Sequence, residues 1–292
     1  MRISKRPWHW ELTTILSKRD TLLEKYWKEQ KNMNNLIYTI EEVPKDKQLI
    51  IFDLDGTLTE SKAEISRETA MLLSSLLKEK KVGIIGGGAL ERFKAQVLSD
   101  LIGDAKLENL FLFPLNGSSF YRYQNGEWQK IYSHELSDEE KINIREVFGQ
   151  VFKEVGYVVP NKIYGEQIED RGSQITFSML GQNAPLDEKT RWLKEHEADR
   201  LRMVLKLKEY LPDMEVKTAG LTSIDVTRKG IDKKFAIEKL MEHLNVSVPE
   251  TLFVGDAFGP EGNDSPALES GVLCFKVESP QDTENVIKHI LG

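Results

Sequence analysis

Two aspartates stand one residue apart in the stretch IIFDLDGTLTE, residues 50 to 60, where an apolar run with the character of a buried strand comes to its end. Like charges at the edge of a core either hold something cationic or are an accident of the surface. A third carboxylate, Asp256, ends the similar run TLFVGDA, and the glycines Gly86 to Gly88 follow the run KVGII. These groups can act together if their segments are neighbouring strands, because open parallel sheets bind ligands at the carboxyl ends of their strands. Asp53, Asp55 and Asp256 in one crevice would repel strongly unless a divalent cation neutralised them, and hard oxygen donors suit Mg²⁺. Backbone N–H groups of Gly86 and Gly87, near a helix N-terminus, are suited to phosphate oxygens.

The elements that must position these residues are legible in the pattern. QLIIFDL, KVGIIGG, TLFVGDA and GVLCFKV read as strands, and SRETAMLLSSLLKEK, ALERFKAQVLSDLIG and DKKFAIEKLMEHL as helices, the first capped by Ser66. Strands and helices alternating at crossover length predict an α/β fold, a Rossmann-like parallel sheet with helices on both faces. Between the two halves the texture changes. YRYQNGEWQKIYS reads as a hairpin turning at Asn125-Gly126, followed by the helix SDEEKINIREVFGQVFKEVG, the strand SQITFSML, a long amphipathic helix and the strand TSIDVT. This order predicts an inserted α+β cap domain over residues 123 to 228. The core would be formed by 46 to 122 and 229 to 292, and residues 1 to 45 by a Trp-rich N-terminal helical extension.

Composition narrows the function classes. A net charge of −7 over 292 residues argues against a nucleic-acid surface, which needs clustered Lys and Arg. The single cysteine, Cys274, excludes an internal disulfide and fits a reducing compartment. No stretch is apolar enough for a membrane span, and the N-terminus has no secretory signal pattern, so a cytoplasmic location is expected.

DLDGTLT resembles the DxDGT motif of the haloacid dehalogenase superfamily of phosphotransferases, and GDAFGPEGND, residues 255 to 264, resembles its metal-binding motif. The segments KVGIIGGGALERF, FPLNGSSFY and TSIDVTRKGIDK extend the resemblance, closest to the eukaryotic-type phosphomannomutases with a type IIB cap. The resemblance implies that Asp53 is a nucleophile forming an aspartyl-phosphate and that Asp55 is the general acid and base. It implies Mg²⁺ on the Asp53 carboxylate, the Asp55 carbonyl and Asp256, supported by Asn263 and Asp264, with Lys233 neutralising the phosphoryl oxygens. In a strand, side chains at i and i+2 share one face, so the two carboxylates are expected to flank a single phosphoryl group.

For the cap, the resemblance implies that Arg171, Ser223 and Asp225 contact substrate. Gln182 and Lys189 stand where the family carries arginines, and Lys62 replaces another in the core. Arginine grips phosphate with a planar fork, lysine is a point charge and glutamine carries none. A weaker clamp favours a phosphatase of hexose phosphates or similar small esters over a phosphomannomutase, the alternative, which must retain a bisphosphorylated intermediate. A catalytically silent binding module is the third reading. A homodimer through the cap is a further expectation by resemblance.

Overall fold

The computed structural model describes residues 35–61, 63–101, 103–259 and 262–292. Residues 1 to 34 of the expected N-terminal extension, and Lys62, lie outside them. The strands in chain order are β1 (Leu36–Ile37), β2 (Leu49–Asp53), β3 (Lys81–Ile85), β4 (Leu110–Phe113), β5 (Ser119–Gln124), β6 (Glu127–Ser133), β7 (Ile168–Asp170), β8 (Gln174–Ser178), β9 (Met214–Ala219), β10 (Ser223–Arg228), β11 (Thr251–Gly255) and β12 (Leu273–Lys276). The α-helices are α1 (Arg67–Glu79), α2 (Leu90–Phe93), α3 (Asp138–Val155), α4 (Leu186–Tyr210), α5 (Lys233–Leu244), α6 (Ser265–Glu269) and α7 (Pro280–Leu291).

The large sheet runs β1-β12-β11-β2-β3-β4-β5-β6, parallel from β1 to β4. Strand alternation explains why β2 is apolar at every position before Asp53. Ile50 and Phe52 enter a cluster with Leu73, Leu76 and Leu77 of α1 and Val286 and Ile287 of α7. Leu49 and Ile51 enter the opposite cluster with Ala236, Ile237 and Leu240 of α5. Both faces are covered, so each apolar side chain of the strand contributes about 1.5–3 kcal/mol of burial. The carboxyl edge of the sheet is thereby anchored by packing on both faces.

The Asn125-Gly126 hairpin forms as expected, both residues having positive φ (56° and 84°), the backbone of a two-residue turn. Its strands belong to the large sheet, β5 pairing antiparallel with β4. Residues 123 to 133 therefore extend the core rather than the insertion: an edge strand offers β5 and β6 their hydrogen-bond partners. The expected N-terminal extension also ends within the core, since β1 pairs with β12 and Val43 is buried among core residues.

The second sheet is antiparallel, in the order β7-β8-β10-β9. Ile175, Phe177, Val216, Ile224 and Val226 pack on one face against Ile144, Phe148 and Val151 of α3 and Met203, Val204 and Leu207 of α4. Its register pairs Thr176 with Asp225, Ser178 with Ser223 and Asp225 with Lys217, so the other face is polar. The helix α3 starts at a capping box between Ser137 and Glu140 and ends at Gly156 in the left-handed region. Among the described residues, no helix is long and apolar enough to cross a membrane.

Candidate active site

Strand β2 delivers Asp53 at its last residue, and β11 ends one residue before Asp256. The Asp264 that begins α6 joins them: ligand oxygens of Asp53, Asp256 and Asp264 all lie within 4.8 Å of one another. Lys233, the first residue of α5, enters this cluster from the other side of the crevice. Its Nζ donates to Asp53 Oδ1 at 2.5 Å and to Asp264 Oδ1. Asp53 is 2% exposed and Lys233 1%, so this is an interior ion network.

The electrostatics show what the network lacks. Burial pushes Asp53 well above the ordinary carboxylate range, Lys233 opposing it and Asp264 and Asp256 adding to it. Burial also raises Asp256, with Asp264 adding to the effect and Lys233 opposing it. For Lys233 burial works against the ammonium, but Asp264 and Asp53 outweigh it and hold the group above its usual value. Three carboxylates facing one ammonium leave two negative charges over, which a divalent ion balances. The oxygen donor set fits Mg²⁺. The loop geometry fits as well: a Cβ at Gly56, whose φ is +92°, would stand 2.6 Å from Asp256 Oδ2. Only glycine lets the 53–57 turn approach that carboxylate, and Thr57 Oγ1 then donates to Asp256 Oδ1 at 3.2 Å.

The remaining expected residues divide. Asp55 lies beyond the end of β2, half-buried in a turn closed by the Asp55–Thr59 bridge, so strand alternation does not govern how it stands to Asp53. Its Oδ1 lies 3.5 Å from Gln96 Nε2. Asp264 uses both oxygens within the fold, one for Lys233 and one for the Ala257 N–H at 2.7 Å. It orients the lysine. Asn263 is exposed and makes no hydrogen bond among the described residues. The Gly86 N–H donates to the Phe113 carbonyl at 3.2 Å, so it is not open to phosphate as expected. The sheet ladder claims it, and a Cβ there would stand 3.0 Å from Leu54 Cβ, a tight contact that Leu54 would have to relieve by shifting. The Gly87 N–H has no acceptor among the described residues and remains the phosphate-binding candidate.

The polar face of the second sheet reaches this loop through Arg171. Its Nη1 donates to the Gly87 carbonyl at 3.3 Å, while Nε and Nη2 donate to Glu169 Oε2 at 2.9 and 2.6 Å. Gln182 Oε1 accepts from Nη2 at 3.4 Å. Asp225 is buried and accepts from Thr176 Oγ1 at 2.7 Å, Thr176 in turn accepting from Gln174 Nε2 at 2.8 Å. Burial raises the Asp225 carboxyl, with Arg171 working against the rise. Ser223 is half-buried on the same face. Lys189 sits in the first turn of α4, half-buried, with no side-chain hydrogen bond or ion pair among the described residues.

Residues that sequence reasoning missed are the partners. Glu169, Thr176 and Gln174 hold Arg171 and Asp225, Gln96 reaches Asp55, and Thr57 reaches Asp256. Glu169 alone left a trace, standing two residues before Arg171.

Comparison with known proteins identifies the family and the fold. The model of the eukaryotic phosphomannomutase family matches residues 69–292. The phosphomannomutase of Encephalitozoon cuniculi is 29% identical over 252 residues, covering 84% of this chain and 94% of the relative. That of Saccharomyces cerevisiae is 27% identical over 254 residues, covering 85% and 96%. Among solved structures, Plasmodium falciparum IMP-nucleotidase aligns with a TM-score of 0.63 at 18% identity, over 86% of this chain and 70% of that one. Aspergillus fumigatus trehalose-6-phosphate phosphatase aligns at 0.51 and 18%, over 84% and 93%. At such identity the two structures speak for the fold alone.

Proposed function

The chain belongs to the eukaryotic phosphomannomutase family, and from that premise we propose that it interconverts hexose 1-phosphates and 6-phosphates, mannose phosphate foremost, through an aspartyl-phosphate on Asp53. It is an enzyme of phosphoryl transfer on sugar phosphates. The observation that carries the reading is the buried Asp53–Lys233 pair inside the acidic cluster. Lys233 opposes the burial and neighbouring anions that raise Asp53, and so favours its ionised, nucleophilic form.

Asp53 attacks phosphorus of the bound ester, forming its O–P bond as the bond to the sugar oxygen breaks, and Asp55 gives that oxygen its proton. In the return step Asp55 takes the proton from the free hydroxyl of a hexose monophosphate, whose oxygen attacks phosphorus as the Asp53 O–P bond breaks, giving the bisphosphate and regenerating the carboxylate. Lys233 balances the charge of the moving phosphoryl group, and the Gly87 N–H donates to its oxygens. Mg²⁺, when bound by Asp53 and Asp256 with the Asp55 carbonyl, supplies the remaining positive charge that lets an anion meet an anion. The cap, through Arg171, Ser223 and Asp225, holds the rest of the sugar and excludes water. A homodimer through the cap belongs to the same reading, and sedimentation analysis tests it.

A phosphatase is the second reading, favoured by one feature of this chain. Gln182 is uncharged and Arg171 is already bonded to Glu169, which loosens the grip on a second phosphate. Incubation with mannose 1-phosphate and glucose 1-phosphate, with and without the matching 1,6-bisphosphate, separates the two. Formation of 6-phosphate with little inorganic phosphate supports the mutase; stoichiometric inorganic phosphate rejects it in favour of the phosphatase.

A further inference from the structure

The motif FPLNGSSFY takes no part in the site described so far, yet its turn is strained. Between β4 and β5, Leu115, Asn116 and Gly117 follow one another with φ of 54°, 55° and 97°. Glycine takes the left-handed region freely and asparagine tolerates it singly, but a leucine there is an outlier and a run of such residues is costly. Strain of this kind persists only where the surrounding structure imposes it, and it concentrates at functional sites.

Here the contacts that impose it are with the glycine loop. The Asn116 N–H donates to the Gly86 carbonyl at 2.9 Å and the Leu115 N–H to the Gly88 carbonyl at 3.0 Å, one on either side of Gly87. On the other flank Gly117 packs against α5. A Cβ there would stand 2.7 Å from Ala236 Cβ and 3.2 Å from the carbonyl oxygen of Asp232, the residue before Lys233. The turn therefore lies between the two groups assigned above to the phosphoryl oxygens, the Gly87 N–H and the Lys233 ammonium.

The Asn116 side chain is half-buried beside Gly87, its Nδ2 3.6 Å and its Oδ1 3.8 Å from the position of a Cβ built there. Asparagines that only make a turn bond their own backbone through Oδ1. Asn116 does not: its Oδ1 is buried without a partner, and its Nδ2 donates to nothing among the described residues. An amide with both ends unpaired, held by a strained turn next to a free N–H, is a donor without its acceptor.

We propose that Asn116 is a further catalytic residue, its Nδ2 donating to an oxygen of the transferring phosphoryl group beside the Gly87 N–H. The proposal rests on the aspartyl-phosphate reading for the identity of that group. A second neutral donor there stabilises the charge on the phosphoryl oxygens as phosphorus passes from the ester oxygen to Asp53.

The test is calorimetric titration of orthovanadate, which takes the geometry of a phosphoryl group in transfer, into the full chain with Mg²⁺ at neutral pH. Wild type, Asn116→Gly, Asn116→Asp and Asp53→Asn are compared, with a melting curve for each. Asn116→Gly should bind vanadate at least about tenfold more weakly while melting no lower than wild type, since glycine relieves the backbone and removes only the amide. Asn116→Asp keeps the size and the turn preference of asparagine but sets an anion against an anion, so it should bind more weakly still. A residue that only shaped the turn would give the reverse order, with Asn116→Asp close to wild type. Vanadate binding by Asn116→Gly within twofold of wild type, binding by Asn116→Asp tighter than by Asn116→Gly, or no binding by the wild type overturns the proposal. If Asn116→Gly fails to fold, Asn116→Asp decides alone, and wild-type binding by it overturns the proposal. Asp53→Asn should lose the vanadate complex; if it binds like wild type, the aspartyl-phosphate reading falls and with it the proposal. Loss in Asp53→Asn with wild-type binding by both Asn116 variants removes the proposal and leaves that reading standing.

Discussion

In the core crevice, Lys233 is buried between Asp53 and Asp264 with a third carboxylate beside them, while on the cap face Arg171 is half-buried on Glu169 and Asp225 is buried among hydroxyl and amide donors. The crevice is assembled from three segments far apart in the chain, each ending a strand or starting a helix of one rigid sheet. The cap face comes from neighbouring strands of a small sheet whose register selects which side chains share its polar side. Charges in the crevice are thus fixed against one another in the interior, whereas on the cap face Arg171 is held by the partly exposed Glu169 and Asp225 by neutral donors. Substitutions in the first region should cost turnover and stability together; in the second they should trade one for the other.

The sharpest contrast comes from the nucleophile. Asp53→Asn should lower turnover of any hexose phosphate by at least about 10³-fold, measured by steady-state assay, since the covalent route is closed. Its fold should survive, because Lys233 keeps Asp264. Activity within a few-fold of wild type would end the aspartyl-phosphate mechanism.

Lys233→Met should abolish turnover and also destabilise the protein by about 3–5 kcal/mol in urea unfolding, because it leaves buried carboxylates without a cation. A stable, well-folded variant at neutral pH would show that the acids are not ionised in the fold. Added Mg²⁺ should raise the melting temperature of the wild type with the logarithm of its concentration, and Asp256→Asn should flatten that dependence. EDTA should remove activity in parallel.

Asp225→Asn reverses the pattern. The buried Asp225 carboxyl titrates above its ordinary 3.8 in the fold. A carboxyl raised in the folded state favours folding below its unfolded value and loses that advantage as pH rises through the folded one. Wild type and Asp225→Asn should therefore melt alike in acid, the variant gaining a few degrees toward neutral pH. Its KM should rise roughly tenfold, as expected for a lost hydrogen bond to a substrate hydroxyl. A variant less stable than wild type at neutral pH would mean that Arg171 outweighs burial. The smallest effect is expected from Gln182→Arg with Lys189→Arg: product analysis should show the ratio of 6-phosphate to inorganic phosphate rising a few-fold. An unchanged ratio would disconnect these positions from the second phosphate.

That Asp53 and Asp256 stand at strand ends was legible in the sequence. A run such as LIIFD can only be a strand covered on both faces, and a carboxylate at its end has nowhere to go except the open edge of the sheet. The same argument placed Asp256. It failed at Gly86, because whether a glycine N–H is free depends on the neighbouring strand, and Phe113 takes it. It failed again at the cap boundary, where the hairpin of residues 119 to 133 was read correctly as a hairpin but belongs to the edge of the large sheet.

What the sequence by itself determined was local: the period of each element, the Asn125-Gly126 turn, and the carboxylates at strand ends, all set by interactions a few residues in range. Only the tertiary structure decided which of those ends meet. It engaged both oxygens of Asp264 and bound Arg171 to Glu169. Those outcomes depend on sheet order and register, and they join residues as far apart as Asp53 and Lys233, whose attraction acts only after the chain has folded.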